Sequence, residues 1–121
     1  MSAWAWIAVA LLGGCGAIAR FLLDGVIGEA VARGYPLGTF VVNISGAVVL
    51  GILTGAAVSG QALTIAGTAT IGSYTTFSTW MLETHRLRED AQFGAAFMNV
   101  VLSLLAGLAA VEVGRKLGAN L

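Results

Sequence analysis

Gly72-Ser73-Tyr74-Thr75-Thr76-Phe77-Ser78-Thr79-Trp80-Met81-Leu82-Glu83 lies inside an apolar region long enough to cross a bilayer, yet five of the seven residues from Ser73 to Thr79 are Ser or Thr. Gly72 and the β-branched Thr75 and Thr76 are poor helix formers, so a helix entering this stretch is expected to break there. A break in hydrocarbon leaves backbone groups unpaired. Spanning segments tolerate that where the freed backbone faces an ion or a substrate. The stretch reads as the functional centre of a small ion-handling membrane protein.

Composition supports the membrane class. Hydrophobic residues make up 58% of the 121 residues and charged residues only 10%, against about 25% charged in a soluble domain. Mean hydropathy is +0.91. The length accommodates about four spans of ~20 residues with short loops and no separate soluble domain. Formal net charge is zero, which gives no support for nucleic-acid binding. The seventeen glycines lie within apolar runs, where they favour close helix packing over disorder. A single cysteine excludes an intramolecular disulfide. Leu12-Gly13-Gly14-Cys15 looks like a lipoprotein cleavage site, but no basic segment precedes it. Trp4 and Trp6 instead resemble the interfacial anchor of a retained helix, so Cys15 reads as packed and unmodified.

Outward from the break, the third span is expected over roughly residues 62–84. Its first half-helix ends near Ile71, close to mid-bilayer, and the second begins near Thr76. On the second half, Phe77 and Trp80 are three apart and Thr79 and Glu83 four apart, which sets an aromatic stripe beside a polar one. His85, Arg86 and Arg88 form a basic helix end, favourable at the negative pole of the dipole; His85 reads as a solvated terminus residue. The second span, roughly 37–59, follows the only proline, Pro36. Its Asn43, Ala47, Gly51 and Gly55 share one face, and Gly51 to Gly55 is a GxxxG. The Asn43 amide either bonds across to another helix or donates to a passing anion.

The first span, roughly 3–23, gathers Gly13, Gly14, Gly16, Ala17 and Ala19 into a smooth surface. Arg20 near its end has two readings: a snorkelling cation paired with Asp24, or a cation that concentrates anions at a pathway mouth. Residues 24–36 read as the first loop, marked by Asp24, Gly25, Gly28, Glu29, Arg33 and Gly34. The fourth span, roughly 94–113, carries Asn99, Ser103 and Gly107 on one face, and Arg115 and Lys116 close it. Ala106, Ala110 and Gly114 form a further smooth stripe.

Four spans put both termini on one side with Arg115 and Lys116; the other side holds Arg33, Arg86 and Arg88, with Arg20 at the boundary. Such a balance gives the positive-inside rule almost nothing to act on, so insertion in both orientations is expected. Two copies in opposite orientations would pair about an axis in the membrane plane and bring their mid-bilayer breaks together.

These segments resemble the Fluc (CrcB-type) fluoride channels. The likeness rests on Gly13-Gly14-x-Gly16-Ala17-x-x-Arg20, on Pro36-x-Gly38-Thr39-x-x-x-Asn43-x-x-Gly46, and on Gly72-x-x-Thr75-Thr76-Phe77-Ser78-Thr79 followed by Glu83, with Asn99-x-x-x-Ser103 as a weaker fourth. It covers essentially the whole chain, and the Thr-Thr-Phe-Ser-Thr core with its downstream glutamate is its most specific part. The resemblance implies a fold: an all-α membrane protein of four transmembrane helices, the third broken, assembled as an antiparallel dual-topology homodimer with two fluoride pores. It implies a multi-pass protein in lipid of a prokaryotic inner or plasma membrane that exports fluoride passively and relieves its toxicity. A structural sodium ion at the dimer centre, held by backbone carbonyls matching Gly72 and Thr75, is implied as well. The implied fluoride pathway maps to Asn43, Phe77, Ser78, Thr79 and Ser103, with Arg20 near a vestibule. One departure stands out: the family's second pore phenylalanine corresponds here to Trp80. Asn99 and Gly107 also match the family's polar track only loosely.

The residue chemistry agrees. A small bare anion in hydrocarbon carries a large solvation penalty, so donors must line its route, and the Asn43 amide and the hydroxyls of Ser78, Thr79 and Ser103 are such donors. Aromatic rings are electropositive at their edges, which lets Phe77 present C–H groups without trapping the ion. No basic residue lies deep in a span, as conduction requires. Carbonyls freed at a break suit a hard cation such as sodium. Two other classes compete. A small multidrug-type proton-coupled exporter needs an embedded carboxylate in the first span, and residues 3–23 contain none. A structural subunit of a larger complex would explain the glycine stripes but not the hydroxyl-rich break. No nucleophile–base pair or metal-ligand cluster points to an enzyme.

Overall fold

The computed structural model describes residues 1–30 and 35–121, with residues 29 and 30 described by their backbone only. Arg33 and Gly34 of the expected first loop lie outside the described residues. Among the described residues all regular structure is helical. Helix α1 spans Ala3–Ala30, α2 Leu37–Gly55 and α6 Phe93–Ala119, and these three are long and apolar enough to cross a membrane. Between α2 and α6 the chain forms α3 (Gly60–Leu63), a π-helical segment (Thr64–Ile71), α4 (Gly72–Tyr74) and α5 (Ser78–Glu89).

The interior is built from small residues. Ala5, Ala69, Ala96 and Ala110 are buried, whereas Phe21, Phe97 and Leu108 are each about two-thirds exposed or more, at 77%, 67% and 70%. A water-soluble protein does the reverse. Where lipid tails surround the helices there is no hydrophobic gain from hiding large side chains, and packing depends on how closely backbones approach. The expected glycine stripes supply that approach. A Cβ on Gly51 would run into the Val111 carbonyl and one on Gly55 into that of Arg115. From the other side, Gly114 leaves no room before the Val48 carbonyl and Gly118 none before that of Ile52. This reciprocal seam makes α2–α6 the most extensive contact in the chain. It also carries α6 past the expected end at residue 113, because Gly114 and Gly118 continue it.

Helix α1 packs on the π-helical segment in the same manner: a Cβ on Gly16 would meet the Thr70 carbonyl, and one on Gly13 would lie 3.5 Å from that of Ala69. In this segment Thr70 Oγ1 donates to the Ile65 carbonyl at 2.7 Å, following the wider i→i+5 spacing.

Several expectations need correction. Cys15, expected to be packed, is exposed on the protomer. Helix α1 does not stop at residue 23; Asp24, Gly25 and Gly28 are helical rather than loop. Helix α2 ends at Gly55 rather than near residue 59, because Ala57 takes a left-handed backbone (φ 60°) and the Val58 N–H folds back to the Leu53 carbonyl at 3.0 Å. The interruption of the third hydrophobic region comes later than Gly72. That glycine is helical, and the Thr75 N–H still reaches the Ile71 carbonyl at 2.9 Å. The chain becomes extended at Thr75 (φ −82°, ψ 163°) and re-enters a helix at Ser78.

Candidate functional site

The interruption is held from outside by Asn43. Its Oδ1 accepts from the Thr76 N–H and its Nδ2 donates to the Thr76 carbonyl, both at 2.8 Å. The side-chain amide thus pairs with the Thr76 peptide as a neighbouring strand would. This decides where the helix stops, since the Thr76 N–H would otherwise seek the Gly72 carbonyl four residues back. With that donor diverted, the carbonyls of Gly72, Ser73, Tyr74 and Thr75 accept no hydrogen bond among the described residues. A run of free acceptors at one bend is rare in a protein interior and suits a hard cation or water. A Cβ added to Gly72 would approach nothing closer than the Gly67 carbonyl, at 3.9 Å.

The hydroxyls downstream make a local cluster. Thr76 Oγ1 accepts from the Thr79 N–H at 3.2 Å and donates to Thr79 Oγ1 at 3.1 Å. The Thr79 hydroxyl proton therefore remains free to donate elsewhere. Ser78 is exposed, with its hydroxyl 3.5 Å from that of Thr76. On the adjoining face the rings of Phe77 and Trp80 meet edge to face, centroids 5.7 Å apart at 85°. Phe77 is 69% exposed, so its ring stands out from the protomer.

Three grooves meet around these residues. Arg20, Thr39, Thr76 and Thr79 line a recess of about 190 Å³ on one side of the clasp. Asn43, Gly72, Thr75, Phe77 and Trp80 line an open groove of about 490 Å³. Asn43, Trp80 and Ser103 line a third of about 290 Å³ along α6. Of the residues picked out from the sequence, Arg20 and Thr79 thus share one recess, and Asn43 and Trp80 link the other two grooves. Ser78 lines none of the three. Arg20 and Asp24 form no ion pair. Asp24 turns to the start of α2, where its backbone carbonyl lies 3.0 Å from the position of a Cβ on Gly38 and its carboxylate closer still. An anion there is favoured by the helix dipole.

Two residues left without a definite partner by the sequence find one here. Thr39 is almost completely buried, at 2% exposure, and its hydroxyl donates to the Glu83 carboxylate, tying the first turn of α2 to α5. Asn99 is 1% exposed and joins Trp80 and Thr84 by hydrogen bonds. The sequence signal for each was a polar residue within an apolar run.

An interrupted helix clasped by an amide, aromatic and hydroxyl faces beside it, and three helices long and apolar enough to span define a small multi-pass membrane protein built around a polar break. Residues 7–115 match the family described as CrcB-like protein, Camphor Resistance (CrcB), and the chain belongs to that family. It is 53% identical over 112 residues to the fluoride-specific ion channel FluC 2 of Mycolicibacterium paratuberculosis, covering 93% of this chain and 92% of the relative. It is 51% identical over 110 residues to FluC 2 of Mycobacterium tuberculosis H37Rv, covering 91% and 87%. To FluC 1 of Symbiobacterium thermophilum it is 39% identical over 119 residues, covering 93% and 96%. These relatives and the apolar helices make it a multi-pass protein of a prokaryotic cell membrane.

Proposed function

We propose that this protein is a fluoride channel: a passive conduit that exports fluoride across the cell membrane and relieves its toxicity. The observation that carries the reading is the interruption at Thr75–Phe77, clasped by Asn43 and bordered by hydroxyls and ring edges. Its similarity to FluC relatives along nearly the whole chain supports the choice of ion.

Fluoride must exchange a tightly held hydration shell for protein donors. At the mouth, the Arg20 guanidinium attracts anions without sitting on the route. Further in, the Thr79 hydroxyl, the second Asn43 N–H and the Ser103 hydroxyl donate in turn, and Ser78 donates from the exposed edge of the break. The edges of Phe77 and Trp80 supply weak C–H donors between them. None of these groups inside is a full cation, so binding stays shallow enough for release. Fluoride is the smallest halide and gains most from such close donors.

Four spans complete the bundle, the third running through the interrupted region. The near balance of Lys and Arg supports insertion in both orientations and an antiparallel homodimer with two pores. The carbonyls of Gly72 and Thr75 would hold a sodium ion at the centre of that dimer, where its charge would tie the two breaks together. In such a dimer the exposed Phe77 ring gains a neighbour.

The test is fluoride efflux from liposomes that hold the purified protein, with chloride as the control ion. Rapid fluoride loss with chloride retained is expected. Equal loss of both ions, or coupling of fluoride loss to a proton gradient, would contradict the proposal.

A further inference from the structure

Trp80 borders two of the grooves at once, so the direction in which its indole N–H points decides what those grooves present to an ion. That N–H is already engaged: Nε1 donates to the Asn99 backbone carbonyl at 3.0 Å. The Asn99 side chain returns the link, since its Nδ2 donates to Thr84 Oγ1 at 2.8 Å. Thr84 Oγ1 in turn donates to the Trp80 carbonyl at 2.9 Å. Three bonds therefore close a loop between α5 and α6 through one tryptophan, one threonine and one asparagine.

A lone Thr bonding four residues back is common in helices, and a buried Asn usually finds some partner. The closure is what distinguishes this arrangement. Each residue orients the next, and Asn99, with Val42, is among the largest fully buried side chains of the described residues. A polar network whose members satisfy one another becomes rigid, because releasing one bond strands a second group away from water. The indole is also held edge to face against Phe77, so its ring plane is fixed on both sides.

We propose that this loop is a latch that keeps the indole N–H away from the ion route, so that the grooves meet only the C–H edge and face of Trp80. Asn99 and Thr84 are then positioning residues for a fluoride path that neither one touches. The inference rests on the fluoride reading above. Its physical content is that a free indole N–H, a stronger donor than a ring C–H, would hold fluoride and slow its passage.

The test uses the full chain with Trp4→Phe and Trp6→Phe, both exposed near the start of α1, so that one indole remains. In labelled protein in nanodiscs the Trp80 Nε1–H resonance is expected to exchange slowly and to stay in place as fluoride is added. Thr84→Val keeps the volume and removes the hydroxyl. It removes both bonds of the Thr84 hydroxyl, the one to the Trp80 carbonyl and the one from Asn99 Nδ2, and leaves the indole held by its own bond alone. Indole exchange should then speed about tenfold and fluoride efflux should slow while the dimer still assembles. Thr84→Ser, which keeps the hydroxyl, should restore both. Trp80→Phe removes the N–H altogether and, in the Thr84→Val background, should recover fluoride efflux. A Trp80 N–H resonance that shifts saturably with fluoride in the parent protein overturns the proposal. So does Thr84→Val with unchanged exchange and efflux. A parent protein that carries no fluoride refutes the function instead; the latch is then judged by indole exchange alone.

Discussion

Replacing Asn43 by leucine, which has the same side-chain branching but no polar atoms, removes both bonds that hold Thr76 away from the helix. Each is worth about 1 kcal/mol net, so the interrupted conformation loses about 2 kcal/mol relative to a continuous helix, roughly a 30-fold shift in population. The released Thr76 N–H then has its natural partner in the Gly72 carbonyl, and healing the helix removes one of the free acceptors from the break. Opposing this, the β-branched Thr75 and Thr76 disfavour helix by at most about 0.7 kcal/mol each. That term is present before and after the substitution and cannot offset it. Fluoride efflux from liposomes should therefore fall, by up to about 30-fold if the two conformations start near balance, and amide exchange at Thr76, measured in nanodiscs, should change with it. Asn43→Asp keeps an acceptor for the Thr76 N–H but sets a carboxylate oxygen against the Thr76 carbonyl, so it should not rescue. An Asn43→Leu protein that assembles, conducts like the wild type and protects Thr76 to the same degree refutes the reasoning.

Gly51→Ala and Gly114→Ala press a methyl group onto the backbone carbonyls of Val111 and Val48, which cannot yield without separating the helices. Each should destabilise the fold by about 1–3 kcal/mol in detergent unfolding. Gly25→Ala, inside α1 with no atom within 4 Å, should instead be neutral or stabilise by up to about 1 kcal/mol. Cysteine tags at the C-terminus should be labelled from both membrane faces; labelling from one face only would rule out dual insertion. Phe77→Ile keeps apolar bulk but removes the electropositive ring edge, and should sharply slow fluoride efflux while the exposed position leaves folding intact. Normal efflux by that variant would mean the route follows the hydroxyls alone. Gly72→Ala has room within one protomer, so a stable protomer with weakened dimerisation and lost sodium dependence is expected. Unaltered dimerisation would remove the support for a cation site there.

The membrane class, the helical architecture and the presence of a break were legible from residue order alone. Apolar runs need no partner to declare themselves in lipid, and glycine spaced by four marks a helix face wherever it occurs. The stripes that form the α2–α6 seam, Gly51 with Gly55 and Ala110 with Gly114, were visible in the sequence, but that they pack on each other was not. Nor was the position of the break. Local propensity pointed to Gly72, yet the helix continues to Tyr74, because the group that diverts the Thr76 N–H sits on α2, 33 residues away. The use of Trp80 was hidden for the same reason. An isolated indole reads as a spare donor, and only the approach of Asn99 from α6 commits it. Propensity and periodicity are properties of a few neighbouring residues, and they determined which segments are helices and which faces are smooth. Hydrogen-bond partners between distant segments are set by how the helices come together, so only the tertiary structure decided where the chain leaves its helix and which polar groups remain free.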